Sequence, residues 1–463
     1  MNAILEAIES LAIGRSLPSP LEPLLDFRSG RTLTRRDLAE SVLVLASVGK
    51  GKTTLGGTFA RAFLRDRQGG LFLTVKRSQI EDVRRMCRLE GRERDLVVLG
   101  PGMGHRFNPL EEEPSSAEAA ALVAEIAEVL ASRTRGGGEN ESFWRQQLGI
   151  ILRNLFTLCR LAYGRHDLIL AATLFDGRAS TLAELSDPTW QERSAMAAAL
   201  ATARKVTGDP DAGLAVEYFE HAFPTAGDRL QGSLAATVAS VFDYLRRPPL
   251  LDLFTGRSTF CPDDMTERGK ICVVGLPALD SADGRIANAI MQYCFCRAVV
   301  RQPREHHSFL ISDECQETVT QELVRKLAVM REYKVASVML SQNLAVLDDR
   351  IGETLREGLS GLLNLKVFGP QIHAATRQWA AEQVGKRKMP TETKTTGRSR
   401  DRGKDLHSTG TSVHEHWDYR VPPSRFSSLG VGETICLRDG AVWLSRWHKD
   451  MPGKGGTVAI VDD

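Results

Sequence analysis

Val42-Leu-Val-Leu-Ala-Ser-Val-Gly-Lys-Gly-Lys-Thr-Thr-Leu55 is an apolar run of strand length that opens into a loop of glycine and lysine. Residues 46–53 fit the looser form of the phosphate-loop pattern, with Ala46 where glycine is usual. The chemistry says which positions can vary. Gly51 must let the backbone approach phosphate, Lys52 supplies a cation at the β- and γ-phosphates, and Thr53 offers a hydroxyl to Mg²⁺. The helix that follows adds free N–H groups and a positive dipole end. Ala46 only has to allow the turn out of the strand, and Lys50 adds charge beside the phosphates. Ala46, Ser47, Gly49, Lys50, Gly51, Lys52, Thr53 and Thr54 are therefore the expected nucleotide-binding set, with ATP and Mg²⁺ as the implied ligands. The position between an apolar strand and a helix start is the context that such a motif requires.

A second motif supports the first. Ser308-Phe-Leu-Ile-Ser-Asp-Glu314 is an apolar strand ending in two carboxylates. In a phosphate-loop ATPase the Asp holds the Mg²⁺ shell, here Asp313 through water, and the Glu, here Glu314, polarises the attacking water. In Met330-Arg-Glu-Tyr-Lys-Val-Ala-Ser-Val-Met-Leu-Ser-Gln-Asn343 a helix ends near Arg331 and a strand follows. Gln342, at the strand's carboxyl end, is the expected γ-phosphate sensor. Arg331 is the candidate arginine finger, reaching a neighbouring subunit's nucleotide.

Strand and helix alternate outward from these motifs. Strands are expected at 41–47, 71–75 and 95–99, and again at 270–276, 307–312, 335–340 and 363–368, with helices between them. That pattern implies a mostly parallel sheet covered on both faces. From 115 to 245 the text is rich in Ala, Leu, Glu and Arg instead. Helices are expected there, with Gly136-Gly-Gly138 as a break and Leu148, Ile151, Leu152, Leu155 and Phe156 on one face of the next helix. The resulting division is an N-terminal segment over 1–40, an α/β nucleotide-binding domain over 41–111 and 249–463, and an all-α insertion over 112–248. Residues 386–418 read as a flexible basic and polar loop with no aromatic residues among the charges of 386–404. Two closing strands are expected at 433–436 and 441–444, joined by Asp439-Gly440.

Composition narrows the class. The chain has 463 residues, 42% apolar and 25% charged, as in ordinary globular proteins. Its net charge of +2 says nothing of partners as a total. Eight scattered cysteines without a CxxC pair read as reduced thiols. Met1-Asn-Ala-Ile-Leu-Glu-Ala-Ile-Glu-Ser-Leu11 is not a signal peptide, and Ile4, Leu5, Ile8 and Leu11 share a helical face. No window reaches the roughly 18 apolar residues of a membrane span. Cys294-x-Cys296 and His414-x-His416 are too closely spaced, without partner ligands, for a metal-hydrolase site.

Further landmarks carry a resemblance. They are Arg106-Phe-Asn-Pro-Leu110, Glu141-Ser-Phe-Trp144, the strand ending Ser341-Gln-Asn343, Arg420-Val-Pro-Pro423, Leu429-Gly430 and Gly432-Glu433. In this order the chain resembles the type IV coupling proteins, conjugative DNA-transfer ATPases of the TraG/TraD kind within the HerA/FtsK group of motors. The resemblance implies a RecA-like domain, an all-α domain and hexamers around a DNA channel. It gives Lys52, Asp313, Glu314, Arg331 and Gln342 the roles set out above. Lys76 matches a family lysine, but Thr74-Val75 stands where the family has Asp-Pro. Members in a secretion channel usually begin with membrane-spanning helices, which this sequence lacks ahead of its phosphate loop.

The leading expectation is an ATPase coupled to DNA translocation, acting as a cytoplasmic homohexamer. It has no permanent membrane anchor and is recruited to the inner membrane by relaxase or secretion-channel partners. A second reading is a docking ATPase that binds a protein partner through the all-α domain. A third is a HerA-like ATPase of DNA processing or defence. Glu314 argues against a nucleotide switch that does not hydrolyse.

Overall fold

The computed structural model describes residues 21, 23–27, 31–111, 115–131, 141–301, 307–401, 404–447 and 457–459. The expected N-terminal helix and the Gly136-Gly-Gly138 break lie outside them. A short antiparallel pair, β1 (Pro23–Phe27) and β2 (Arg31–Thr34), precedes the main body. The body is built on a ten-stranded sheet. Its strands are β3 (Val42–Leu45), β4 (Gly69–Leu73), β5 (Leu96–Leu99), β6 (Ile271–Val274), β7 (Ser308–Asp313), β8 (Val335–Ser341), β9 (Leu365–Phe368), β12 (Glu433–Arg438), β13 (Ala441–Arg446) and β14 (Thr457–Ala459). The spatial order is β14-β13-β12-β9-β3-β8-β7-β4-β6-β5. Strands β9 through β5 in that order are parallel, and the β12 to β14 edge is antiparallel.

The parallel strands read as continuous apolar runs because both faces are covered. Val42 and Val44 pack into one core with the helix Lys52–Arg65, through Phe59 and Phe63. Leu43 and Leu45 turn to the opposite core, which continues without a break into the helical block. Alternate residues of one strand thus join the sheet to two different layers.

Between β5 and β6 the described elements are helical, chiefly Ser116–Ala131, Glu141–Tyr163, Leu168–Asp176, Ala195–Ala203 and Asp228–Leu245. The face named from the sequence, Leu148 to Phe156, is buried. Asp167 and Ser194 cap two of these helices by accepting backbone N–H groups, which is why short stretches hold helical form. The chain leaves the sheet layer through Arg106-Phe-Asn-Pro-Leu110 and returns through 253–260, and the two passages are stitched together. Phe107 donates its N–H to the Leu253 carbonyl at 2.8 Å. The Asn108 side chain donates to the Gly256 carbonyl, and its own N–H goes to the Ser258 hydroxyl.

One expectation is corrected. The supposed loop at 386–418 is a two-stranded antiparallel arm, β10 (Lys386–Asp401) and β11 (Lys404–Tyr419), paired from Lys386↔Tyr419 to Asp401↔Lys404. Thr391, Thr393 and Thr395 explain it, because β-branched residues at alternate positions favour extended backbone even where no apolar face exists. The arm also brings aromatics to the charges: Tyr419 stands opposite Lys386, and Trp417 opposite Lys388.

Candidate functional site

Three neighbouring strands converge at the carboxyl edge of the sheet, where ligands bind in open α/β folds. The strand β8 lies between β3 and β7, so Ser341-Gln342 stands between the phosphate loop and the Asp313-Glu314 pair. Gly51 has φ +90° and begins the helix Lys52–Arg65, and Gly49 has φ +72°. An L side chain rarely adopts these angles, which accounts for glycine at both positions. Ala46 is fully buried, and its tolerance has a long-range cause. A Cβ at Gly369 would lie 2.7 Å from the Ala46 Cβ, so glycine at the end of β9 gives alanine its room.

The loop is held from the side. Ser47 donates its N–H to the Pro370 carbonyl, and its hydroxyl donates to Gln371 Oε1 at 2.9 Å. The 430–433 turn lies against the other side, with Gly432 N 3.7 Å from where a Gly51 Cβ would sit. Glu433 fixes that turn by accepting the Gly430 N–H at 2.8 Å.

Lys52 is 7% exposed, and its ammonium lies 2.7 Å from Glu314 Oε2 and 3.4 Å from Asp313 Oδ1. Thr53 donates its hydroxyl to Asp313 Oδ2 at 2.8 Å. Glu314 is the most heavily bound group of the site. Gln316 and Gln342 both donate to its Oε2, at 2.9 and 3.1 Å, and Lys76 lies 3.5 Å from Oε1. Burial raises the Glu314 pKa, but the bonds from Lys52, Gln316 and Gln342 outweigh it and hold the carboxyl below its ordinary range. Its backbone is left-handed, φ 57° and ψ 51°, a conformation costing a non-glycine residue about 1–3 kcal/mol. Such strain turns the side chain of Glu314 back toward Lys52.

The structure thus brings together Ser47, Lys52, Thr53, Asp313, Glu314 and Gln342. Gly49, Lys50 and Thr54 belong to the same loop and first helical turn. Arg331 stands apart: it ends the helix Gln321–Met330 ahead of β8, at the amino edge of the sheet, and pairs with Glu40 at 2.9 Å. From that edge it does not reach its own chain's phosphate loop. Thr74, where the resemblance leads one to expect Asp, is buried, donating its N–H to Asn288 Oδ1 and its hydroxyl to the Val274 carbonyl. Sequence reasoning missed Gln316 and Gln371, whose partners are far away in the chain or follow an unusual backbone turn.

Thr53 and Asp313 offer the hard oxygen donors that Mg²⁺ prefers, and their mutual bond shows them within reach of one ion. Among the described residues there is no cluster of three or more His, Cys, Asp or Glu fit to hold another metal. Nor is any described helix long and apolar enough to cross a membrane.

Sheet order and loop geometry define the class: a RecA-like phosphate-loop fold with a helical block inserted between β5 and β6. Residues 307–424 match the family described as the TraM recognition site of TraD and TraG. Solved structures share the fold at low identity. The bacterial conjugative coupling protein TrwBdeltaN70 superposes with a TM-score of 0.64 at 13% identity, covering 96% of this chain and 93% of its own. The plasmid coupling protein TrwB in complex with ADP and Mg²⁺ gives 0.61 at 13% identity, with 96% and 94% covered. VirB4 of Thermoanaerobacter pseudethanolicus gives 0.51 at 12% identity, with 93% and 97% covered. A search of curated proteins finds no match. Family match and fold point the same way: residues 307–424 match the TraD and TraG family model, and the whole chain has the fold of the coupling-protein structures.

Proposed function

We propose that this chain is an Mg-ATP-dependent motor that translocates DNA as a coupling ATPase. The observation that carries the reading is the meeting of Lys52, Thr53, Asp313 and Glu314 at one strand edge. Lys52 exchanges its carboxylate partners for phosphate oxygens when ATP binds. Thr53 and Asp313 hold Mg²⁺, which neutralises phosphate charge. Lys52 then no longer occupies Glu314, whose carboxylate, still bonded by Gln316 and Gln342, orients the attacking water. Gln342 keeps contact with that carboxylate and faces the γ-phosphate. Arg331 acts on a neighbouring subunit's nucleotide in a homohexamer, a role its place on the far edge supports. The TrwB complex with ADP and Mg²⁺ supports the same ligands here.

The β10–β11 arm supports a nucleic-acid partner. Lys386, Lys388 and Lys394 share one face with Tyr419 and Trp417, and Trp417 is 65% exposed. Lys386 lies 4.9 Å over the Tyr419 ring. Cations beside exposed aromatic rings suit backbone phosphates and stacked bases, although Glu392 and Glu415 interrupt the stripe.

A second reading is favoured by the family description, which speaks of TraM recognition across the region that includes this arm. In that reading the chain is chiefly a docking ATPase, with its protein contact on 307–424 as well as on the helical block. The deciding experiment is ATP hydrolysis with and without single- and double-stranded DNA at two salt concentrations, with Glu314→Gln as control. Stimulation by one DNA form, lost at high salt, is the expected result. Hydrolysis indifferent to DNA overturns the motor.

A further inference from the structure

Two buried amides outside the nucleotide motifs hold Glu314, one directly and one through Gln342. Gln316, two residues on in the turn Cys315–Glu317, is buried and donates to Glu314 Oε2 at 2.9 Å. Its own amide oxygen accepts the Ser341 hydroxyl at 3.0 Å, so both ends of the amide are assigned. Gln342 donates to the same Glu314 oxygen at 3.1 Å. The Gln342 carbonyl in turn accepts from Gln371 Nε2 at 2.8 Å. Gln371 is also buried, and its Oε1 accepts the Ser47 hydroxyl in the phosphate loop at 2.9 Å. One unbroken chain of bonds therefore runs Ser47, Gln371, Gln342, Glu314, Gln316, Ser341.

We infer that Gln316 and Gln371 are positioning residues for the proposed reaction. Gln316 fixes the orientation of the Glu314 carboxylate, and Gln371 ties that carboxylate to the phosphate loop through Gln342. The inference rests on the ATPase reading above and adds two residues to it. Three features support it over mere packing. The two amides are buried, so each bond they lose is not replaced by water at no cost. The amides of Gln316 and Gln342, the second held by Gln371, converge on one oxygen of a carboxylate. The left-handed backbone at Glu314 lets residue 316 turn back onto residue 314, a contact that an ordinary strand exit does not give. The charged groups around Glu314 are Lys52 from the loop helix, Lys76 after β4, and Asp313 on its own strand. None of them fixes the carboxylate plane as an amide donor does, because ammonium groups bind without a preferred plane.

The test is steady-state ATP hydrolysis by the full chain, as kcat and KM separately, for wild type, Gln316→Ala, Ser341→Ala and Gln371→Ala. Thermal melts check that each variant folds. Gln316→Ala is expected to lower kcat about 10- to 100-fold, the worth of one hydrogen bond to a charged group, with KM little changed. Ser341→Ala, which leaves Gln316 in place but unanchored, should lower kcat in the same way by less. Gln371→Ala should raise KM as well, since it loosens Ser47. Wild-type kcat in folded Gln316→Ala, or a loss that falls on KM instead, while Glu314→Gln is inactive, would overturn the inference and leave the ATPase standing. A wild-type chain that hydrolyses no ATP would overturn both.

Discussion

Replacing Glu314 by Gln separates binding from turnover. The amide keeps the volume of the carboxyl group but removes its charge and its ability to orient water as a base. A positioned general base contributes about 10²- to 10⁴-fold, so turnover should fall by that factor, about 2.7–5.5 kcal/mol of barrier. Binding should move the other way. Lys52 loses its partner at 2.7 Å and keeps only Asp313 at 3.4 Å, so less must be given up when its ammonium turns to phosphate. Removing one member of a buried ion pair costs about 3–5 kcal/mol when the other is left alone. Here Asp313 still neutralises Lys52, so the loss of fold stability should lie below that range. The assays are phosphate release for turnover, a fluorescent ATP analogue for affinity, and a thermal melt for stability. Turnover within threefold of wild type would refute Glu314 as the base. Affinity lost in step with turnover would refute the claim that its carboxylate competes with phosphate for Lys52.

Gly369→Ala should destabilise the chain by about 1–3 kcal/mol and weaken ATP binding, because its Cβ would meet that of Ala46 at 2.7 Å. The double variant with Ala46→Gly should recover both in a melt and a binding titration. Glu125 is buried beside Thr320, and burial, reinforced by Glu128 and Glu322 and opposed by the Thr320 bond and Arg145, raises its pKa to about 7. Between the ordinary carboxylate range and that value the folded chain binds more protons than the unfolded one, so melting temperature should fall as pH rises through this window and level off above it. Glu125→Gln should flatten that dependence. Arg331→Ala should bind ATP yet lose turnover, and mixing it with Lys52→Ala should restore part of the activity if the arginine serves a neighbour; no recovery in mixed oligomers would count against the finger.

Legibility followed sequence distance. The phosphate loop and the Asp313-Glu314 strand end were readable because their function lies in a few consecutive residues and their neighbours set the context. The parallel strands were readable because burial on both faces makes them unbroken apolar runs. The β10–β11 arm was not, since both its strands are polar and its Thr alternation carries no apolar partner to set a face. Opposing Trp417 to Lys388 needs the pairing register, which no single segment contains. The Ala46 and Gly369 fit, the Gln371 bridge and the left-handed turn at Glu314 were hidden for the same reason. Each depends on where two distant segments meet. Arg331 could be named from its helix end, but its place on the opposite edge follows only from strand direction.

The bond pattern also shows where a change at Glu314 would leave the site. Its turn continues into Thr320, which caps the helix Gln321–Met330 and accepts Gln292 Nε2 at 2.9 Å. Thr320 also bonds Glu125, in the first helix of the helical block. The proposed base thus stands six positions before a contact with that block. Another tie, at Phe107 and Asn108, joins the two passages of the neck through one backbone bond to Leu253 and side-chain bonds at Gly256 and Ser258. Arg145 to Gln321 and Arg297 to Glu118 add further side-chain ties between the helical block and the sheet layer. Gln321 opens the helix that Thr320 caps, so the Thr320–Glu125 and Gln321–Arg145 contacts put the helical block next to the turn that follows Glu314.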